Sequence, residues 1–119
     1  MIVVDTGGIL ALLDRDDRHH RSVRGLFTAD GHEWILPWAI LPEIDYLVAK
    51  HLGRRVADTF VKDLRDGLFR VDSNFDRDIR RAHELITAYR DLELGLVDAV
   101  VMAAAEHHGA RAIVTTDLR

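Results

Sequence analysis

Asp5 directly follows the β-branched run Ile2-Val3-Val4, and Asp117 follows Ile113-Val114-Thr115-Thr116. If the runs are parallel neighbours in a sheet, both carboxylates emerge on the same rim. Each also suits a local role, because Asp is a strong helix N-cap and Asp5-Thr6-Gly7 opens a helical stretch. Asp98 is set in an apolar run from Leu96 to Ala105 in which no other residue is polar. A carboxylate in a buried helix is costly unless it is paired or metal-bound. At a helix start it also complements the macrodipole. Glu43 and Asp45 lie on opposite flanks of the apolar stripe of one helix, at about 100° per residue. Periodicity does not choose between them.

Several carboxylates converging on one partly buried pocket repel one another until a cation joins them. Magnesium and manganese are hard ions that prefer oxygen ligands, and magnesium keeps several waters. Beside a phosphodiester, such an ion polarises phosphoryl oxygens, activates a water and steadies the leaving oxygen. The chain has no cysteine, which removes a thiol nucleophile, a zinc ribbon and a disulfide scaffold. The pairs His19-His20 and His107-His108 are poor metal candidates, since adjacent residues do not share a helix face.

The elements that must position these acids are legible as alternating short apolar runs and amphipathic stretches. Strands are expected at Ile2–Val4, Trp34–Leu36, Leu68–Val71 and Ala112–Thr115. Helices are expected over Gly8–Asp14, His19–Ala29, Ala39–Leu52, Arg54–Asp66, Asp76–Arg90 and Leu96–His108. Their inward faces include Val23, Leu26 and Phe27, then Val56, Phe60, Val61 and Leu64, then Ile79, Ala82, Leu85, Ile86 and Tyr89. Alternation of this kind predicts a parallel sheet with right-handed crossovers and helices on both faces. The strands are apolar throughout, as both-sided burial requires. The helix from Leu96, apolar nearly all round, is expected at the centre. In such sheets ligands sit beyond the carboxyl ends of the strands, where Asp5 and Asp117 fall.

The 119 residues suffice for one domain, 1–119, with roughly two-thirds of the unfolded surface buried. With 16 Lys+Arg against 20 Asp+Glu the formal net charge is −4, which argues against holding nucleic acid by bulk charge. It leaves room for an acidic site that carries divalent cations. The apolar start, Met1 to Leu13, is broken by Asp5 and is too short to cross a bilayer, so neither a membrane role nor export is expected.

Taken together, Ile2-Val3-Val4-Asp5-Thr6, Leu41-Pro42-Glu43-Ile44-Asp45-Tyr46-Leu47, Leu92-Glu93-Leu94-Gly95-Leu96-Val97-Asp98-Ala99 and Val114-Thr115-Thr116-Asp117 resemble the ordered motifs of a PIN domain. More narrowly, they resemble a VapC-type toxin of a toxin–antitoxin pair. The resemblance runs over the whole chain. It implies a three-layer α/β/α fold and a cytoplasmic, metal-dependent endoribonuclease that hydrolyses RNA. It implies an acidic quartet of Asp5, Glu43, Asp98 and Asp117 around Mg²⁺ or Mn²⁺, with Asp5, Asp98 and Asp117 as metal ligands. Thr6 and Thr115 then orient carboxylates or waters, and Asp91 is a reserve acid. The partners implied are an RNA substrate, a VapB-like antitoxin and a second copy in a homodimer. Gly7 departs from the pattern, standing where a serine is common.

Other features have bland and functional readings. Of the 16 basic residues, 14 are Arg. Arg15, Arg18, Arg21 and Arg24 recur every third residue, as a solvated face paired with Asp14, Asp16 and Asp17 or as a stripe that steers an RNA backbone. Trp34 and Trp38 bracket Pro37 and are assigned to core or dimer packing ahead of base stacking. Competing functions are a catalytically silent PIN-like RNA- or protein-binding module and a housekeeping RNA-processing nuclease of the same fold. A phosphoacceptor domain wants paired acids after the first strand, and a haloacid-dehalogenase-like phosphatase wants an Asp two residues after Asp5. Thr6-Gly7 meets neither requirement.

Overall fold

Ile2–Val4 forms strand β1 because three consecutive β-branched residues fit a sheet covered on both faces, and all three are buried. The computed structural model describes residues 1–116, in the order β1, α1 (Thr6–Leu13), α2 (His20–Asp30), β2 (Trp34–Pro37), α3 (Leu41–Leu52), α4 (Arg54–Arg65), β3 (Arg70–Asp72), α5 (Phe75–Ala88), α6 (Leu96–His108) and β4 (Ala112–Val114). Asp117, Leu118 and Arg119 lie outside the described residues. Short 3₁₀ turns precede β2, α3 and the loop into α6.

All strand pairs are parallel and the order is β3-β2-β1-β4. Register pairs Ile2 with Trp34 on one side of β1 and with Ala112 on the other. The chain winds from β1 outward to β3, then crosses back to place β4 on the other side of β1. The sheet is therefore doubly wound, and its winding reverses between β1 and β4. Right-handed crossovers in opposite directions put their helices on opposite faces. Helices α1 to α4 pack on one another, whereas α5 packs on α6 and α6 on β1 and β2. The expected three-layer α/β/α architecture is the one observed.

The main core joins β1 and β2 to Ile9, Ile40, Ile44, Val48 and Phe60. A second, smaller cluster packs Ala39 and Ala82 against Ala99 and Val100 of α6. As expected, α6 is buried along its middle, from Ala99 to Ala104 apart from Met102. No helix among the described residues is long and apolar enough to cross a membrane.

Three inward assignments are corrected. Leu26 is 45% exposed, because Val23 and Phe27, four residues apart, set the inner line of α2. Val61 is 49% exposed beside the buried Phe60. Tyr89, 48% exposed, lies just beyond the end of α5. Strand β3 starts at Arg70 rather than Leu68. Gly67 takes φ +80° and Leu68 N–H donates to Asp63 O at 3.0 Å, so Leu68 closes α4 instead of opening the strand.

Candidate active site

Asp5 leaves β1 as the N-cap of α1, its Oδ1 accepting from Gly8 N–H at 3.1 Å. That capping bond explains why α1 begins at Thr6 and not at Gly8. The Asp5 N–H donates to Val114 O at 3.1 Å, tying the rim of β1 to the end of β4. Both following glycines lie tightly against the end of β4 and the residues after it. A Cβ on Gly8 would stand 2.8 Å from Val114 O, and one on Gly7 2.6 Å from Thr116 Oγ1. Glycine at position 7 therefore has a local cause, since the space a serine would take is filled by Thr116.

At the point where the winding reverses, beyond β1 and β4, an open cavity of about 420 Å³ is lined by Asp5, Asp98, Thr115, Leu94, Met102 and Ile113, with Val101 behind them. Crevices for ligands form at this place in doubly wound sheets. Asp98 stands in the first turn of α6 after the N-cap Gly95. The position corrects one premise: Asp98 is exposed, and burial of α6 begins one residue later at Ala99. Its carboxylate faces an open cavity at a helix N-terminus, where the macrodipole favours negative charge. Thr6, next to Asp5, is buried, and its Oγ1 has no hydrogen-bond partner among the described residues.

The fold thus brings Asp5, Asp98 and Thr115 together. Glu43 is exposed in the first turn of α3, after the carboxyl end of β2, and does not line this cavity. Asp45 is occupied elsewhere: Arg54 bridges it to Asp58 on the surface shared by α3 and α4. Asp91 is exposed in the 3₁₀ turn of residues 90–92 and does not line the cavity. Asp117 lies outside the described residues. Among the described residues no three His, Asp or Glu side chains form a metal-sized group.

One polar cluster escaped the sequence reading. Asp78 is 1% exposed and accepts from Trp38 Nε1 at 3.0 Å and from Arg77 Nε at 2.9 Å. Arg77 also pairs with Asp72, and His108 Nε2 lies 2.6 Å from Asp72 Oδ2. Burial alone would raise the Asp72 carboxyl, but hydrogen bonds from His108, Arg77 and the Asn74 backbone hold it below the ordinary aspartate value. The signal was present: Asp78 shares a helix face with Ala82 and Leu85. Of the two tryptophans assigned to core or dimer packing, Trp34 is fully in the core, edge-on to Phe27, and Trp38 is half-buried with its ring 5.2 Å from Phe75.

A doubly wound sheet with acids beside the strand-order reversal defines a class, and the sequence matches the PIN-domain family over residues 2–119. The chain belongs to that family. It is 25% identical over 118 residues to the ribonuclease VapC26 of Mycobacterium tuberculosis (strain ATCC 25618 / H37Rv), covering 99% of this chain and 87% of that protein. Its fold superposes with a TM-score of 0.83 on the crystal structure of Mycobacterium tuberculosis VapC20, a sarcin–ricin-loop-cleaving toxin. That match has 22% identity and covers 98% of this chain and 90% of the other.

Proposed function

We propose that this chain is a VapC-type endoribonuclease toxin that hydrolyses RNA with the help of Mg²⁺ or Mn²⁺. The observation that carries the reading is the convergence of Asp5 and Asp98, 93 residues apart in sequence, on one cavity where the sheet winding reverses. The similarity to VapC26 supports the ribonuclease activity.

The residues present fit a hard divalent cation. The cavity offers carboxylate and hydroxyl oxygens from Asp5, Asp98 and Thr115, with no sulfur or imidazole donor among its described lining other than the Met102 thioether. The hydroxyl of Thr6 beside Asp5, which has no hydrogen-bond partner among the described residues, is a further oxygen there. Asp5 and Asp98 would hold the ion with Asp117 as the third carboxylate, and Glu43, on α3 outside the cavity lining, is the fourth acid of the quartet. A bound cation supplies Lewis-acid polarisation of a phosphoryl oxygen and a more acidic water. The capping bond from Gly8 fixes Asp5 Oδ1 in place. Asp98 stands in the first turn of α6, one turn from its N-terminal N–H groups. Thr115 and Thr6 orient carboxylates or waters by hydrogen bonding. Leu94, Met102 and Ile113 give the open cavity an apolar side.

A VapB-like antitoxin, a homodimer and a cytoplasmic setting belong to the same proposal. Exposed Phe75, Tyr89, Leu92 and Leu96 supply apolar surface for partner contacts. The test is cleavage of a structured RNA by the purified chain. Activity should vanish with a chelator, return with Mg²⁺ or Mn²⁺, and be absent in folded Asp5→Asn. Cleavage by Asp5→Asn at the parent rate would remove the proposal.

A further inference from the structure

We propose that the outer face of α2, with Arg21 and Arg24 set around Gly25 and with Arg15 and Arg18 in the turn before it, docks the phosphodiester backbone of RNA away from the acidic cavity. The inference rests on the reading of the chain as an RNA nuclease and adds where a long substrate is held.

The first observation is one of pairing. Arg54, Arg77, Arg81 and Arg111 each hold two carboxylates. Arg15, Arg18, Arg21 and Arg24 are exposed, and none has an ion pair among the described residues, although Asp14, Asp16 and Asp17 are their sequence neighbours. Two of those carboxylates are turned to the backbone: Asp14 Oδ1 accepts from Asp16 N–H at 2.9 Å and Asp17 Oδ1 from His19 N–H at 2.8 Å. The expected solvated face of neutralising pairs is therefore not formed, and the cations are left for an outside anion. Arginine presents a planar fork that matches phosphate.

The second observation is Gly25. A glycine inside a helix is disfavoured relative to alanine. At Gly25 nothing in the fold asks for it, since φ is not left-handed and an added Cβ would meet no atom within 4 Å. A local rule broken without a packing reason points to a site. Gly25 leaves the helix backbone bare one turn after Arg21 and one turn before Thr28 and Ala29. It floors a shallow depression of about 550 Å³ lined by these residues with His20 and Arg24. A bulky backbone approaches closely there, between two guanidinium groups.

The third is placement. Phe27 packs 5.1 Å from Trp34, which opens β2, and 5.6 Å from Phe69, which precedes β3. Helix α2 therefore belongs to the amino ends of the strands, and the acidic cavity to their carboxyl ends. An RNA long enough to extend from the amino ends of the strands to their carboxyl ends reaches both, and a short oligonucleotide seated in the cavity does not.

The experiment measures binding of a fluorescent stem–loop RNA across a salt series, on an Asp98→Asn background to prevent cleavage. Reversing Arg21 and Arg24 together to Glu should weaken binding by about tenfold or more and reduce the log–log salt slope by about 2, one per arginine. Gly25→Gln should weaken binding several-fold with a melting temperature equal to or above the parent's, which no folding defect would produce. With Asp98 restored, the double reversal should raise KM for the stem–loop and leave cleavage of a short oligoribonucleotide unchanged. Unchanged RNA affinity and salt slope in the folded double variant would overturn the surface, including the case where the variant instead loses binding to poly-glutamate. A parent that binds no RNA at all would sink the nuclease reading, and this surface with it.

Discussion

Two carboxylate sites in this molecule obey opposite rules. At the Asp72–Asp78 site, a half-buried and a fully buried acid are held by Arg77, His108 and the Trp38 indole, and they join β3, α5, α6 and the turn that leads into α3. At the strand-end cavity, Asp5 and Asp98 line an open volume beside apolar side chains, and no Lys or Arg is among its described lining. The first arrangement spends its charges on cohesion. The second lies open, and under the proposed function its oxygens would hold a cation. A perturbed, hydrogen-bonded acid is thus a sign of structure here, and the proposed chemistry belongs to the acids that line the cavity at the winding reversal.

The contrast can be broken by exchanging effects. The largest expected effect is catalytic: Asp98→Asn should lower RNA cleavage by on the order of 100-fold or more. The same exposed substitution should change stability by less than about 0.5 kcal/mol in chemical denaturation. Next, Asp78→Ala should cost roughly 3 kcal/mol of folding stability, because it strands the Trp38 N–H, leaves Arg77 with Asp72 alone and empties a fully buried position. A variant as stable as the parent would show the buried network to be ornamental. A smaller effect follows from pH. The folded Asp72 carboxyl is held below its unfolded value of about 3.9. Its stabilisation is therefore complete above that value and fades as pH falls through the folded one. Asp72→Asn should flatten the acid limb of the stability curve and leave the neutral limb parallel to the parent's. The smallest effect is Thr6→Val. Removing a buried hydroxyl with no described partner should leave stability unchanged or raise it by up to about 1 kcal/mol, while cleavage falls. Equal loss of both would place Thr6 in the packing alone.

The layered fold was readable from the sequence because β1, β2 and β4 are short apolar runs with little else to become, whereas the edge strand β3 is Arg70-Val71-Asp72. Ile2–Val4 came out to the residue. Boundaries set by hydrogen bonds that periodicity does not encode were less legible. Asp5 capping onto Gly8 lengthened α1, and the Gly67–Leu68 closure shortened β3. Asp98 was singled out for a burial it does not have, since α6 is apolar on every side and its periodicity cannot show where its first turn leaves the core. Choosing Glu43 over Asp45 needed family likeness, and the geometry adds that Asp45 is taken by Arg54. The Asp72–Arg77–Asp78 network went unread because its partners come from four separate elements.

The most direct test of the central claim is calorimetric titration of Mn²⁺ into the intact chain and into an Asp5→Asn/Asp98→Asn variant shown to be folded. One saturable site in the low-millimolar range or tighter, lost in the variant, is the predicted result. Equal binding by both proteins, or none by the parent, would contradict the assignment of the cavity as a metal-dependent nuclease centre.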